Sequence, residues 1–407
     1  MLTRAAAVLS FAAVWISTDA PARVDDEWSD AEIALINSLR LANLGNPPGS
    51  ASNSVADSSE AAVLGKLLFF DESFGAAKIA CASCHQPENY YTDNRRLSTG
   101  ALAKGRNTPT VVGTAFQSWF YWDGRRDSLW SQALVPFEAP DEMGSTRSAV
   151  VRRIASVEQY RTAYEGLFGR LPGHLTSEYL PEGATPVGDK KQVRVWNNLT
   201  PVVRRSVNRV FSNVGKVIAA YERTLFPSSA VFDVYADALV ERKGPPSSMT
   251  KGAIRGLRLF INAGQTRCIN CHNGPLFTNG FFHNVGTGRS NSDQPDFGRL
   301  AGLESAKLDK FNCMGEYSDA KPQDCHALRF LSGRGHGNAS GAFKVPSLRN
   351  VLATAPYFHD GRFRELQEVV SYYDKGGNQP SELRPLNLSL RQRKDLVAFL
   401  RSLSPAN

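Results

Sequence analysis

Two short stretches of the 407-residue chain carry side chains that can do chemistry together: Cys81-Ala82-Ser83-Cys84-His85 and Cys268-Ile269-Asn270-Cys271-His272. In a Cys-x-x-Cys-His run the two thiols are spaced to add across the vinyl groups of a porphyrin, and the adjacent imidazole gives its iron an axial nitrogen. The expected cofactors are therefore two covalently bound c-type haems. Cys81 and Cys84 would hold the first, with His85 as iron ligand, and Cys268 and Cys271 the second, with His272 as ligand. A four-thiolate zinc site or two plain disulfides would use the cysteines but leave the histidine after each pair unexplained. A similar apolar phrase precedes each run: Leu64-Gly65-Lys66-Leu67-Leu68-Phe69 before the first and Gly256-Leu257-Arg258-Leu259-Phe260 before the second.

The chain repeats itself around these runs. Phe120-Tyr121-Trp122-Asp123-Gly124-Arg125 matches Tyr357-Phe358-His359-Asp360-Gly361-Arg362. Pro109 and Pro346 lie thirteen residues before Trp122 and His359, and Leu129 and Leu366 lie seven beyond them. In that register Tyr373 falls fourteen residues after His359, and Pro136 fourteen after Trp122. If these positions face their own irons, a phenol oxygen meets the second, while proline, with no side-chain donor atom, leaves the first open. Such asymmetry separates a reactive iron from an electron store. A core aromatic is the other role open to Tyr373. No histidine between Gln86 and Tyr121 offers to close the first site. Near Pro136 stand Gln132, Glu138 and Glu142. Splitting a peroxide calls for a group that takes a proton from one oxygen and returns it to the other. A partly buried glutamate with a raised pKa suits that task; a solvated surface position is the alternative for either glutamate.

The elements that must position these residues are mostly helices. Ser29 and Glu32 form a capping box before Ile33, Ile36 and Leu39, and Asp57 and Glu60 read as the same device before Val63, Leu64, Leu67 and Leu68. Thr200-Pro201 opens a helix whose buried face is Val203, Val207, Val210, Val214, Val217 and Tyr221, and Ser389 with Gln392 opens a last one over Leu396, Leu400 and Leu403. The expected fold is mainly α, with two cytochrome c-like haem domains related by internal duplication and long irregular loops. Residues 1–22 are expected to be a signal peptide, 23–202 the first haem domain and 203–407 the second, with the last helix free to pack back on the first. Residues 286–342 are glycine-rich and polar, too long for a simple connector.

Composition is that of an ordinary globular protein, 42% hydrophobic and 21% charged. The formal net charge is +8, but two haems bring four propionates and offset about half of it, so the balance argues only weakly for an acidic partner. No lysine/arginine run marks a nucleic-acid partner. Arg4, the apolar residues 5–16 and Ala20-Pro21-Ala22 read as a secretory leader cut after Ala22. An uncleaved anchor is the alternative, yet the run is short for a membrane span and no later stretch would make one. Export to the periplasm suits c-type haem, which is attached outside the cytoplasm. Cys313 and Cys325 remain unassigned in a polar loop and are expected to form a disulfide. His174, His283, His326 and His336 are expected at surface or haem-edge positions.

Together these residues resemble the bacterial di-haem cytochrome c peroxidase family, which includes the methylamine-utilisation maturase MauG. The resemblance covers roughly residues 59–403. Its carriers are residues 64–71, both haem runs, Arg106-Asn107-Thr108-Pro109-Thr110, Trp122-Asp123-Gly124-Arg125, Glu222-Arg223-Thr224-Leu225 and Thr354-Ala355-Pro356-Tyr357-Phe358-His359-Asp360-Gly361. It implies that Trp122 lies between the haems and conducts electrons. It implies a calcium ion held by Asn107, Thr354 and Pro356, the last two through carbonyl oxygens, which suits a hard cation. Glu142 matches the family's distal acid/base better than Glu138, and Gln132 would share its pocket.

Two departures stand out. The loop histidine that usually blocks the first haem is missing, and Tyr373 replaces the usual axial methionine of the second, as in MauG. Met314 is an outside alternative ligand. The implied activity is hydrogen peroxide reduction at the first haem, with oxidising equivalents shared through Trp122. The alternatives are a maturase oxidising an aromatic residue of a partner protein, and a non-catalytic di-haem electron carrier. The implied partners are a small redox protein (a cytochrome c or cupredoxin) or a protein substrate, and a homodimer is common in the peroxidase branch.

Overall fold

The computed structural model describes residues 28–76, 78–98, 106–176, 178–243, 248–288, 295–329, 331 and 339–405. The expected leader over residues 1–22 lies outside the described residues, as does His336. The first half contributes helices α1 (Asp30–Ser38), α2 (Ser59–Phe70), α3 (Cys81–Cys84), α4 (Leu129–Glu138), α5 (Arg147–Ser156), α6 (Glu158–Phe168), α7 (Lys190–Asn198) and α8 (Pro201–Glu222). The second contributes α9 (Val231–Val240), α10 (Lys251–Ile261), α11 (Cys268–Cys271), α12 (Arg299–Leu308), α13 (His326–Arg329), α14 (Leu366–Asp374) and α15 (Leu390–Ser402). The described strands are β1 (Phe282–His283) and β2 (Phe343–Lys344), an antiparallel pair. The fold is mainly α.

Helix starts follow their local chemistry. Ser29 with Glu32 and Ser389 with Gln392 form the reciprocal boxes before α1 and α15, and Thr200 caps α8 ahead of Pro201. The cap of α2 differs from expectation. Ser58 accepts from the Ala61 N–H at 3.1 Å, because Asp57 is drawn into an ion pair with Arg223 at 2.6 Å.

Two hydrophobic cores result. The first packs α2, α4, α5, α6 and α8 around Leu64, Leu68, Trp130, Phe137, Ile154, Phe211 and Val217. The second packs α1, α9, α10, α14 and α15 around Ile36, Leu39, Tyr235, Leu257, Phe260, Phe277 and Phe399. A division at 202/203 would cut α8 near its start. Yet α8 belongs to the first core, buried nearly all round from Val207 onward rather than along one face. Helix α8 ends in the first core at residue 222, and α9 begins in the second at residue 231. The last helix, α15, stays in the second core against α10 instead of returning to the first domain. The two crossings match. A Cβ at Gly65 on α2 would collide with the Val217 carbonyl of α8, and one at Gly256 on α10 with the Asp395 carbonyl of α15. The shared apolar phrase before each haem run therefore encodes one helix–helix contact made twice.

The duplication is also written in the backbone. Phe120 bridges Arg126 as Tyr357 bridges Phe363, and Tyr121 (φ 66°) and Phe358 (φ 68°) share the left-handed conformation.

Each half also sends an arm into the other. Trp28, Ile36 and Leu39 belong to the second core, where Trp28 Nε1 donates to Tyr235 Oη at 2.7 Å and Arg349 donates to the Leu39 carbonyl at 2.8 Å. Phe311 and Tyr317 belong to the first core. Beside them Lys216 of α8, 1% exposed, pairs with Asp319 at 2.7 Å, and a Cys313–Cys325 disulfide closes the same loop.

Candidate active site

Each haem run is a single helical turn, α3 or α11, with its histidine as the C-terminal cap. His85 Nδ1 lies 3.1 Å from the Tyr91 carbonyl oxygen and His272 Nδ1 2.9 Å from that of Phe277. A carbonyl can only accept, so Nδ1 carries the proton and Nε2 keeps its lone pair, the tautomer an iron ligand needs. Burial keeps both rings neutral, lowering the pKa of His85 and bringing that of His272 to about 4. Cys81, Cys84, Cys268 and Cys271 are unpaired. Burial raises the thiol pKa of Cys81 and Cys84 and lifts that of Cys268 to about 11.

All four thiols and both imidazoles line one continuous cavity of about 1700 Å³. A single small-molecule pocket is roughly 300–1,000 Å³, so this space suits more than one cofactor. Free thiols, oriented imidazoles and a shared chamber fit a pair of covalent haems.

On the first side the wall includes Gln132, Pro136 and Glu142. Pro136 sits inside α4 and lacks the N–H that would bond the Gln132 carbonyl. The Tyr121 hydroxyl donates to that carbonyl instead, at 3.4 Å. Glu142 follows α4 in a turn closed by its N–H to the Ala139 carbonyl at 3.0 Å. Burial raises its pKa; Arg125 opposes the rise and Asp141 adds to it. Glu138 has another fate. It pairs with Arg147 at 2.6 Å and accepts from the Thr185 hydroxyl, away from the cavity wall.

On the second side Tyr373 lines the cavity from α14. Burial is the main cause of its raised phenol pKa, with Cys268 and Cys271 adding to it. Met314, at 51% exposure, is off the cavity wall and is not placed as a ligand.

Trp122 joins the halves. Its indole N–H donates to the Asn107 carbonyl at 2.8 Å, and its own carbonyl accepts from the Lys344 N–H at 2.8 Å. The N–H of Asn107 donates in turn to the carbonyl of His359, the repeat partner of Trp122, at 2.8 Å. Asn107, Thr354 and Pro356 line the same cavity.

Several residues here had no assigned role in the sequence. Arg106 bridges Asp123 at 2.7 Å and Asp296 at 2.8 Å. His359 stacks on Phe343 with ring centroids 3.6 Å apart. Lys344 is half-buried among Gln117, Trp119 and Phe120, and desolvation of its ammonium pushes its pKa down to about 7. His283 stands on the wall and bonds Glu382 at 2.8 Å, a cofactor-edge position; His174 and His326 are off the wall. The repeat aligned His359 with Trp122, and Arg106 stood in a stretch that carries the family resemblance.

Known proteins agree with this architecture. Residues 59–239 match the family described as di-haem cytochrome c peroxidase. The methylamine utilization protein MauG of Methylorubrum extorquens is 32% identical over 351 residues, 84% of this chain and 78% of that protein. A cytochrome-c peroxidase of Denitromonas iodatirespirans is 30% identical over 350 residues, 84% of this chain and 80% of that protein. A solved MauG-like protein associated with microbial copper homeostasis shares the fold, with a TM-score of 0.61, 21% identity and coverage of 89% of this chain and 93% of that one. The chain belongs to the di-haem cytochrome c peroxidase/MauG family of haem oxidoreductases. In that family the two Cys-x-x-Cys-His runs imply the two c-type haems. Among the described residues no helix is long and apolar enough to cross a membrane.

Proposed function

We propose that the chain is an exported, periplasmic enzyme that reduces hydrogen peroxide at the haem of Cys81, Cys84 and His85. The haem of Cys268, Cys271 and His272, capped by Tyr373, would store oxidising equivalents. The observation that carries this reading is the inequality of two matched helix positions on one cavity wall: Pro136 on α4 offers no donor atom, and Tyr373 on α14 offers a phenol oxygen.

Bound haem iron supplies one-electron chemistry and the place where the O–O bond breaks. Reduction of one peroxide to two waters consumes two electrons and two protons, and the protein must handle the protons. Glu142 accepts one from the near oxygen and returns it to the departing oxygen, which its elevated pKa favours. Gln132 orients the peroxide from the same wall. Trp122, bonded to both halves, carries electrons between them. Tyr373 must lose its phenolic proton to ligate, and a metal ion inverts the effect of burial on such a group. A non-catalytic electron carrier would close both irons, which Pro136 cannot do.

A maturase role is favoured by one feature, Tyr373, since a phenolate lowers the iron potential and favours stored oxidising equivalents. With a reduced small cytochrome c and peroxide, fast turnover supports the peroxidase. A long-lived oxidised state without turnover supports the maturase, acting on an aromatic residue of a partner protein.

Asn107, Thr354 and Pro356 would hold calcium through neutral oxygens. The Asn107 amide nitrogen donates to the Arg95 carbonyl at 2.9 Å, leaving its amide oxygen as the donor to a cation. Chelation should then disturb both haem spectra.

Electron paramagnetic resonance of the resting ferric protein tests the central claim. One high-spin and one low-spin centre are expected, and Tyr373→Phe should convert the low-spin signal. Two fully ligated low-spin centres would end the proposal.

A further inference from the structure

Among the acids on the cavity wall that the chemistry above does not use, Glu222 is the one buried to the end of its side chain without an ion-pair partner. Glu222, the last residue of α8, is 3% exposed, and its Oε2 has no hydrogen-bond partner. It lines the cavity and acts electrostatically on the neighbouring Cys81 thiol. The adjacent cation is committed elsewhere: Arg223 binds Asp57 at 2.6 Å and the Pro48 carbonyl at 3.0 Å. Lys66 on α2 is exposed. The titratable groups that interact with Glu222 are Cys81 on α3 and Tyr221 on its own helix, with Tyr91 hydrogen-bonded to Tyr221 at 3.0 Å. None of these is a cation. Burial alone pushes the carboxyl up to about 8.

An unpaired buried carboxyl responds to any charge that changes beside it. Cys81 is where the first haem attaches, so each electron that arrives there adds negative charge next to Glu222. We infer that Glu222 is the redox-linked proton carrier of the first haem, binding one proton as one electron enters and releasing it as the electron leaves. The electron comes from the one-electron donor, the proton from solvent, and the only bond made is O–H on the carboxylate. The local charge then stays constant in a medium that penalises charge. This rests on haem attachment at Cys81 and Cys84 and is independent of peroxide reduction, so the two ideas fail separately.

Spectroelectrochemical titration of the holoprotein, without peroxide, tests it between about pH 6 and about pH 10. Once pH passes the pKa of Glu222 with the haem oxidised, the first haem's midpoint potential should fall by about 59 mV per pH unit, the value for a tenfold change in a one-electron couple. Glu222→Gln should flatten that slope, and Glu222→Asp should keep it. A flat wild-type profile, or an unchanged slope in Glu222→Gln, overturns the inference. If the Gln variant fails to take up haem, infrared difference spectra of the wild type decide. Reduction must produce a protonated-carboxyl band that shifts in heavy water, and its absence is equally fatal.

Discussion

Glu138 and Glu142 stand four positions apart, and their surroundings give them opposite tasks. Glu138 is locked to Arg147, whose side chain is 6% exposed. Removing one partner of a buried ion pair strands the other charge, so Glu138→Gln should cost about 3–5 kcal/mol of stability, measured by denaturant melts, with peroxide chemistry intact. Glu142→Gln should do the reverse, slowing peroxide consumption about 100-fold or more while both haem spectra persist. A base works only when ionised, and burial has raised this carboxyl above its ordinary 4.5. The rate should therefore rise with pH through a value above 4.5, and Glu142→Gln should lose that limb. Equal rates in stopped-flow assays at matched pH would remove Glu142 from the reaction. That Cys81, Cys84, His85, Cys268, Cys271, His272 and Tyr373 share one cavity wall was legible in sequence, because short spacing or the repeat ties them together. Glu222 was not, because an unpaired acid shows itself only when its neighbours are known.

At the scale of elements, the two domains depend on equivalent helix crossings. Gly65→Ala and Gly256→Ala each place a methyl against a backbone carbonyl of the facing helix. Rigid carbonyls cannot rotate away as a side-chain end would, so each change should cost about 1–3 kcal/mol or more through overpacking. Thermal melts check the cost, and the haem nearer the altered crossing should show the larger spectral change; unaltered melting temperatures would mean that the helices part freely. Helix starts were readable from capping residues, and Ser58 displaced Asp57 only because Arg223, far along the chain, captured the carboxylate. Burial on nearly every face of α8 from Val207 onward hid from periodicity for a similar reason: helices distant in sequence cover those faces.

At the scale of the molecule, the crossed arms bind the halves into a single structure. Cys313 and Cys325 lie in the second half, but the loop they close carries Tyr317, and the residues just before it carry Phe311, into the first core. Replacing both with serine should lower stability by roughly 2–4 kcal/mol. Hydrogen exchange should quicken in α8 and α4, not in α10 and α15; faster exchange confined to the second core would refute the role of the arm. Neither arm was legible in sequence, since packing across hundreds of residues leaves no local pattern. The arrangement also bears on biogenesis. A ribosome delivers Trp28 and Leu39 well before Phe399, yet all three settle in the same core. Vectorial, domain-by-domain maturation is thus hindered in both halves, and a polypeptide truncated before Arg349 would leave Leu39 without a berth.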